Sequence, residues 1–247
     1  MDKIDIMANF INNSANIVFF GGAGVSTESG IPDFRSEKGL YAAREKYGRL
    51  PEEMISRSFF RNNTALFFQY YKENLIHQDA SPNAAHLALG KLEKMGKLSA
   101  VLTQNIDGLH QAAGSQNVIE LHGSNNRHYC IKCRKIYDLT YVMLPQNCDE
   151  QIPICSCGGI VRPDVVLYEE NLDEDTWAAA IEAIRAADLL IVGGTSLVVY
   201  PAAGLINFYD EGALILINKE ATNFDSRADL VIKDNIGEVF SDVMSRL

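Results

Sequence analysis

Ile17-Val18-Phe19-Phe20-Gly21-Gly22-Ala23-Gly24-Val25-Ser26-Thr27 is a short apolar run that stops abruptly in glycine. Four consecutive β-branched and aromatic residues suit a strand buried on both faces. The glycines lack a Cβ, so the backbone can turn sharply and bring its N–H groups close to phosphate oxygens. A strand feeding such a turn is how a dinucleotide-binding α/β sheet begins. The fingerprint G-x-G-x-x-G is only partly met: Gly22 and Gly24 are in place, but Thr27 stands third and no acid about 20 residues on is clear. A tight strand-to-helix turn would explain the glycines equally well. The continuation Glu28-Ser29-Gly30-Ile31-Pro32-Asp33-Phe34-Arg35 favours a ligand. It can place a carboxylate, an aromatic face and a guanidinium around one molecule.

Outward from this loop, apolar strands alternate with helices. Residues Ile4, Met7, Phe10 and Ile11 repeat at helical spacing. A helix over 82–95 is punctuated by Ser81 as N-cap, Pro82 at its first position and Gly96 past its end. Strands are expected at 100–102, 118–121, 164–168, 189–192, 213–217 and 230–232. A helix over 173–187 carries acids in its first turn, which suits the helix dipole, and further helices start near Pro201 and end near Leu247. The expected fold is α/β, a Rossmann-like parallel sheet covered on both faces. Residues 36–78 are rich in aromatic pairs, and 124–163 hold every cysteine. Both break the alternation and read as insertions forming a smaller domain, a helical module and a zinc-ribbon module. The large domain then comprises 1–35, 79–123 and 164–247.

Four strands end in polar groups: Thr103-Gln104-Asn105-Ile106-Asp107, His122-Gly123, Gly193-Gly194-Thr195-Ser196, and Asn218. Carboxyl ends of parallel strands are where ligands bind in such sheets. Helix capping accounts well for Thr195-Ser196 and less well for Asn105, Asp107 and His122 together. His122 sits where a neutral imidazole can take a proton, whereas His77, His86, His110 and His128 read as structural or surface residues. Cys130-x-x-Cys133 and Cys155-x-Cys157 are two close pairs about twenty residues apart, the spacing of a four-thiolate structural zinc site. Cys148 competes with Cys155 for the third place.

The chain has 247 residues, 22 Lys+Arg against 32 Asp+Glu, and a formal net charge of −10. That acidity argues against direct nucleic-acid binding, which needs clustered cations. The N-terminal Met1-Asp2-Lys3-Ile4-Asp5 lacks the order of a secretion signal, and no apolar run is long enough to cross a bilayer. A cytoplasmic location is expected, with no membrane partner.

Together these motifs resemble the sirtuin family, the NAD-dependent protein-lysine deacylases, and most of all its compact bacterial members. The resemblance runs through Gly22-Ala23-Gly24-Val25-Ser26, Gly30-Ile31-Pro32-Asp33-Phe34-Arg35-Ser36, Thr103 to His110, Leu121-His122-Gly123, the cysteine ribbon, Arg162-Pro163, Gly194-Thr195-Ser196-Leu197 and Ile217-Asn218. It implies NAD as co-substrate, a structural zinc ion and an acetylated or otherwise acylated lysine of a protein as partner. Ala23, Thr27, Phe34 and Arg35 would line the NAD site. Gln104, Asn105, Ile106 and Asp107 would surround nicotinamide and its ribose. Thr195, Ser196, Asn218 and Ile236 would hold the adenosine half, and His122 would be the general base. Mono-ADP-ribosyl transfer from the same site is the alternative activity, and a non-catalytic NAD-binding regulator is a third possibility that intact Asn105, Asp107 and His122 disfavour. Two departures stand out. Val166-Leu167-Tyr168-Glu169-Glu170 has Glu169 where the family's substrate-pairing strand usually has glycine. Phe68 and Tyr71 align with a Tyr-x-x-Arg clamp for acidic acyl groups, without its cation, which implies a preference for neutral acyl chains.

Overall fold

The computed structural model describes residues 2–33 and 44–247. Its centre is a six-stranded, all-parallel sheet in the order β11-β10-β9-β1-β2-β3. The strands are β1 (Ile17–Gly21), β2 (Leu98–Thr103), β3 (Val118–Glu120), β9 (Leu189–Gly193), β10 (Ala213–Ile217) and β11 (Leu230–Ile232). The continuous apolar runs have a simple cause. In β1, Ile17 and Phe19 point into one core and Val18 and Phe20 into the other, all with no exposed surface. Each such burial contributes about 1.5–3 kcal/mol. Helices α1 (Lys3–Asn13), α5 (Ala84–Lys94) and α9 (Ile236–Met244) cover one face, while α8 (Glu174–Ala186) and a 3₁₀ segment at Ala202–Phe208 cover the other.

The chain leaves β1 toward β2 and β3, then returns on the opposite side through β9, β10 and β11. The strand order therefore reverses between β1 and β9, which opens a crevice at their carboxyl ends. Glycines end both strands there, Gly21 and Gly193 in register.

Away from the sheet, α2 (Pro51–Met54), α3 (Arg57–Asn62) and α4 (Thr64–Asn74) close over an aromatic core of Phe59, Phe60, Phe67, Phe68, Tyr70 and Tyr71. A second, antiparallel sheet, β5-β4-β8, is built from β4 (Gly123–Cys130), β5 (Ile136–Asp138) and β8 (Val161–Val165). The short α6 (Leu109–Ala112) follows β2, and α7 (Leu139–Met143) follows β5. A two-stranded hairpin, β6 (Cys148–Asp149) with β7 (Ile152–Pro153), completes the cysteine-bearing segment.

Two expectations need correction. The strand expected over 164–168 is β8, which ends at Val165 and belongs to the small sheet: it pairs with β4, and Arg127 holds Asp164 at 3.0 Å. The helix expected from 82 starts at Ala84, capped by Asn83 rather than Ser81, with the Asn83 side chain accepting from the Ala85 N–H at 3.0 Å. The Asn83 amide also donates to the Val25 carbonyl (2.7 Å) and the Ser29 hydroxyl (3.0 Å), so one residue both caps α5 and holds the segment after the glycine turn. Phe68 and Tyr71 lie in the aromatic core. Both are buried, and the Tyr71 hydroxyl donates to Asn125 Oδ1 at 3.0 Å and meets His128 Nε2 at 3.1 Å.

Candidate active site

The glycine loop meets the β9 loop directly. The N–H of Gly24 donates to the Gly194 carbonyl at 2.8 Å, and that of Gly22 to the Gly193 carbonyl at 3.4 Å. A Cβ on Gly24 would lie 2.7 Å from Gly194 Cα, and one on Gly22 would lie 2.9 Å from Thr195 Cβ. These glycines are thus required by the close crossing of two loops, and both N–H groups are spent on it. Gly194 itself has a left-handed backbone, φ 60°, where a side chain would be strained.

Around this crossing the polar strand ends converge. Gln104 follows β2, and its amide donates to Thr195 Oγ1 at 3.1 Å, joining the loops after β2 and β9. Ser26, 1% exposed, is the hub that sequence reasoning missed. Its hydroxyl donates to Asp107 Oδ2 at 2.6 Å and accepts from Asn105 Nδ2 at 3.0 Å. The Leu109 N–H holds the other Asp107 oxygen at 2.9 Å. The sequence signals for Ser26 were its place directly after the glycine turn and its membership of the motif Gly22 to Ser26. Ile106 contributes its carbonyl, which accepts from the Asn125 N–H at 2.8 Å and so fixes the loop to β4.

His122 lies between β3 and β4, partly buried. Its Nδ1 is 2.9 Å from the Gln104 carbonyl. A carbonyl can only accept, so Nδ1 carries the proton and the acceptor lone pair of the neutral ring lies on Nε2. The His122 carbonyl accepts from the Val166 N–H at 3.0 Å.

Other residues lie at the margins. Ala23 is partly buried in the glycine loop, and the Thr27 hydroxyl donates back to the Gly24 carbonyl at 2.9 Å. Asn218 directly follows β10, its N–H bonded to the Ile232 carbonyl at 3.1 Å. Ile236 begins α9 and packs so closely on the end of β9 that a Cβ on Gly193 would lie 2.4 Å from its Cδ1. Ser196 is exposed, as are the apolar Val198 and Tyr200 beyond it. Asp33 is partly buried, while Phe34 and Arg35 lie outside the described residues.

Beneath Asp107 sit two imidazoles, His86 and His110, with ring centroids 4.7 Å apart and essentially no exposure. Burial pushes His110 down to about 3 and His86 to about 4, the latter against the attraction of Asp107. Both are therefore neutral at pH 7. They pack behind the loop as structural residues, as expected for His110.

The cysteines form a separate centre. The Sγ atoms of Cys130, Cys133, Cys155 and Cys157 lie within 4.8 Å of one another, with Cys130–Cys157 at 3.5 Å and Cys133–Cys155 at 3.6 Å. Zinc bound tetrahedrally by four thiolates at ~2.3 Å needs sulfur–sulfur edges of roughly 3.8 Å, so the quartet fits that ion. Gly159 makes room for it: a Cβ there would lie 2.7 Å from Cys130 Sγ. The N–H groups of Lys132 and Cys133 point at Cys130 Sγ (3.4 and 3.5 Å), and the Tyr137 hydroxyl donates to Cys155 Sγ at 2.9 Å. Cys148 lies outside the quartet, 3.4 Å from Lys72 Nζ, which decides between it and Cys155.

Among the described residues, no helix is long and apolar enough to cross a membrane. A model of the Sir2 family matches residues 22–201. The chain is 57% identical to the NAD-dependent protein deacetylase of Clostridium acetobutylicum across 99% of each chain. It is 55% identical to the NAD-dependent protein deacetylase of Clostridium tetani, covering 100% of this chain and 99% of that one. Among solved structures, it matches a Sir2 protein with a deacetylated p53 peptide and 3'-O-acetyl ADP ribose at a TM-score of 0.90, with 39% identity over 99% of this chain and 98% of that one. A Sir2Tm structure bound to a propionylated peptide matches at 0.88, with 37% identity and the same coverage. Sequence and backbone agree along the whole chain, and it belongs to the Sir2 family.

Proposed function

We propose that this protein is an NAD-dependent protein-lysine deacetylase that transfers the acyl group to ADP-ribose and releases nicotinamide. One observation carries the reading: Ser26 holds Asn105 and Asp107 together while Gln104 orients His122, all at the crevice where the strand order reverses. NAD, when bound, supplies an electrophilic ribose carbon and a leaving nicotinamide.

The remaining roles belong to this chain. Asp107 and Asn105 orient the nicotinamide end, their side chains held by the Ser26 hydroxyl. His122 takes a proton from a ribose hydroxyl at Nε2, and the Gln104 carbonyl stabilises the resulting imidazolium through Nδ1–H. Gly22, Ala23, Gly24, Thr27, Asp33, Gln104 and Ile106 line the crevice, and Phe34 and Arg35 are assigned to NAD by their sequence motif. Gly194, Thr195, Ser196, Asn218 and Ile236 hold the adenosine side. An acetylated segment of a protein enters along 166–170. Zinc on Cys130, Cys133, Cys155 and Cys157 has no open position, so its contribution is to stiffen a segment with a small core.

The large unit comprises 1–35, 79–123 and the chain beyond β8, with 36–78 and 124–165 as the smaller one. Four thiolates suit a reducing compartment, which supports a cytoplasmic location. The test is mass spectrometry of the products from protein, NAD and an acetyl-lysine peptide. O-acetyl-ADP-ribose and free lysine support the reading. ADP-ribose attached to protein without deacetylation replaces it with ADP-ribosyl transfer.

A further inference from the structure

In a chain of net charge −10, one groove of about 800 Å³ is lined by five arginines and no lysine. It lies between α3, the β4–β8 edge and the start of α8. Val165 and Val166 form part of its wall, so it adjoins the segment proposed to border the acyl-lysine.

Two of the arginines are occupied by the groove's own acids. Arg127 pairs with Glu120 (2.6 Å) and Asp164 (3.0 Å), and Arg162 grips both oxygens of Glu170 (2.8 and 3.0 Å). The other acids are also engaged. Glu169 accepts from the N–H and hydroxyl of Ser58 (2.9 and 2.8 Å), and Asp173 caps α8 through Thr176 (2.8 Å). Arg57, Arg61 and Arg134 have no carboxylate within ion-pair distance among the described residues. Arg57 and Arg61 are four residues apart on α3 and therefore share a face. Arg134 lies over the Tyr129 ring at 4.2 Å, and Arg162 lies 5.7 Å from that ring and 5.4 Å from Phe60. Stacking holds a guanidinium by its face and leaves its N–H edge for an anion.

We infer that this groove is an exosite for an acidic segment of the same protein whose acyl-lysine is deacetylated. Asp and Glu side chains match the forked donors of Arg57, Arg61 and Arg134. The groove's five acids equal its arginines in number, but each is already held by a partner of its own, so Arg57, Arg61 and Arg134 are the donors open to an added carboxylate. The exosite role rests on the deacetylase reading, whereas its acid-binding property does not.

Binding is therefore measured first without catalysis, by fluorescence anisotropy of a labelled Glu-rich peptide lacking acetyl-lysine, against a Gln-rich control. The Glu peptide binds at least about fivefold tighter and weakens as salt rises from about 50 to about 300 mM. The double variant Arg57→Gln, Arg61→Gln removes that preference. In turnover, an acetyl-lysine peptide with Glu flanks has a KM at least about fivefold below its Gln-flanked twin in the wild type and an equal KM in the double variant. The Gln-flanked peptide is turned over equally by both proteins. Equal binding of the Glu and Gln peptides, or a preference that survives in the double variant, overturns the inference. Arginine-dependent binding with neither peptide deacetylated sinks the deacetylase reading and leaves only the acid-binding groove standing.

Discussion

Replacing Ser26 by alanine tests whether the crevice is pre-organised in the way its hydrogen bonds imply. The hydroxyl is buried and makes two bonds, one donated to the Asp107 carboxylate at 2.6 Å and one accepted from Asn105 at 3.0 Å. Alanine keeps the backbone, whose carbonyl still accepts from the Ser29 and Ile31 N–H groups. A hydrogen bond to a charged group is worth about 1.5–3 kcal/mol and a neutral one about 1 kcal/mol. Asp107 retains the Leu109 N–H, so the carboxylate is not orphaned and the lower half of that range applies. The total is about 2.5–3.3 kcal/mol. Spent on orienting Asn105 and Asp107 for reaction, this corresponds to roughly a 70- to 250-fold loss of kcat. The assay is nicotinamide release with saturating NAD and an acetyl-lysine peptide, alongside urea unfolding. The expected variant is folded and slow, with peptide KM changed less than about threefold. A kcat within about twofold of wild type would show that Ser26 only fills space, and the positioning argument would fail.

Three further predictions address other parts of the molecule. Metal analysis finds about one zinc per chain, kept by Cys148→Ser and lost by Cys155→Ser; the reverse pattern would exchange the two ligands. Burial holds His110 at about 3 and His86 and His128 at about 4, below the ordinary 6.5. The unfolded chain therefore binds more protons below pH 6.5, so stability is complete above that pH and is lost as pH falls toward 4. Each histidine costs about 2 kcal/mol at pH 5, and urea midpoints equal at pH 7 and pH 5 would contradict this. Gly24→Ala drives a Cβ against the Gly194 backbone at 2.7–2.8 Å. It lowers stability by about 1–3 kcal/mol, and an unchanged denaturation midpoint would mean that the two loops do not cross as described.

Much of the central sheet was legible because its strands are buried on both faces and so read as unbroken apolar runs. Ile17 to Phe20 needs no tertiary information to be read as a strand. That same signal cannot say which sheet a strand joins, so β8 was placed in the parallel sheet although it pairs with β4. The start of α5 shifted because Asn83 answers a distant demand, the Val25 carbonyl, as well as a local one. The need for glycine at position 24 comes from Gly194, 170 residues away in the chain, and no local pattern encodes that contact. His122 and the Asn105–Asp107 pair were visible as polar groups at strand ends. Ser26 was not, because one serine after a glycine turn looks the same whether it caps a turn or holds a carboxylate. The cysteine quartet was legible from spacing, and the three-dimensional arrangement chose Cys155 over Cys148.

The central claim is that NAD cleavage here is coupled to acyl-lysine. The direct measurement is nicotinamide release and peptide deacetylation, followed together in one reaction with and without the acetyl-lysine peptide. The account predicts one nicotinamide per lysine freed, and little release when the peptide is omitted or its lysine is unacetylated. Nicotinamide release at the same rate without acetyl-lysine would contradict it.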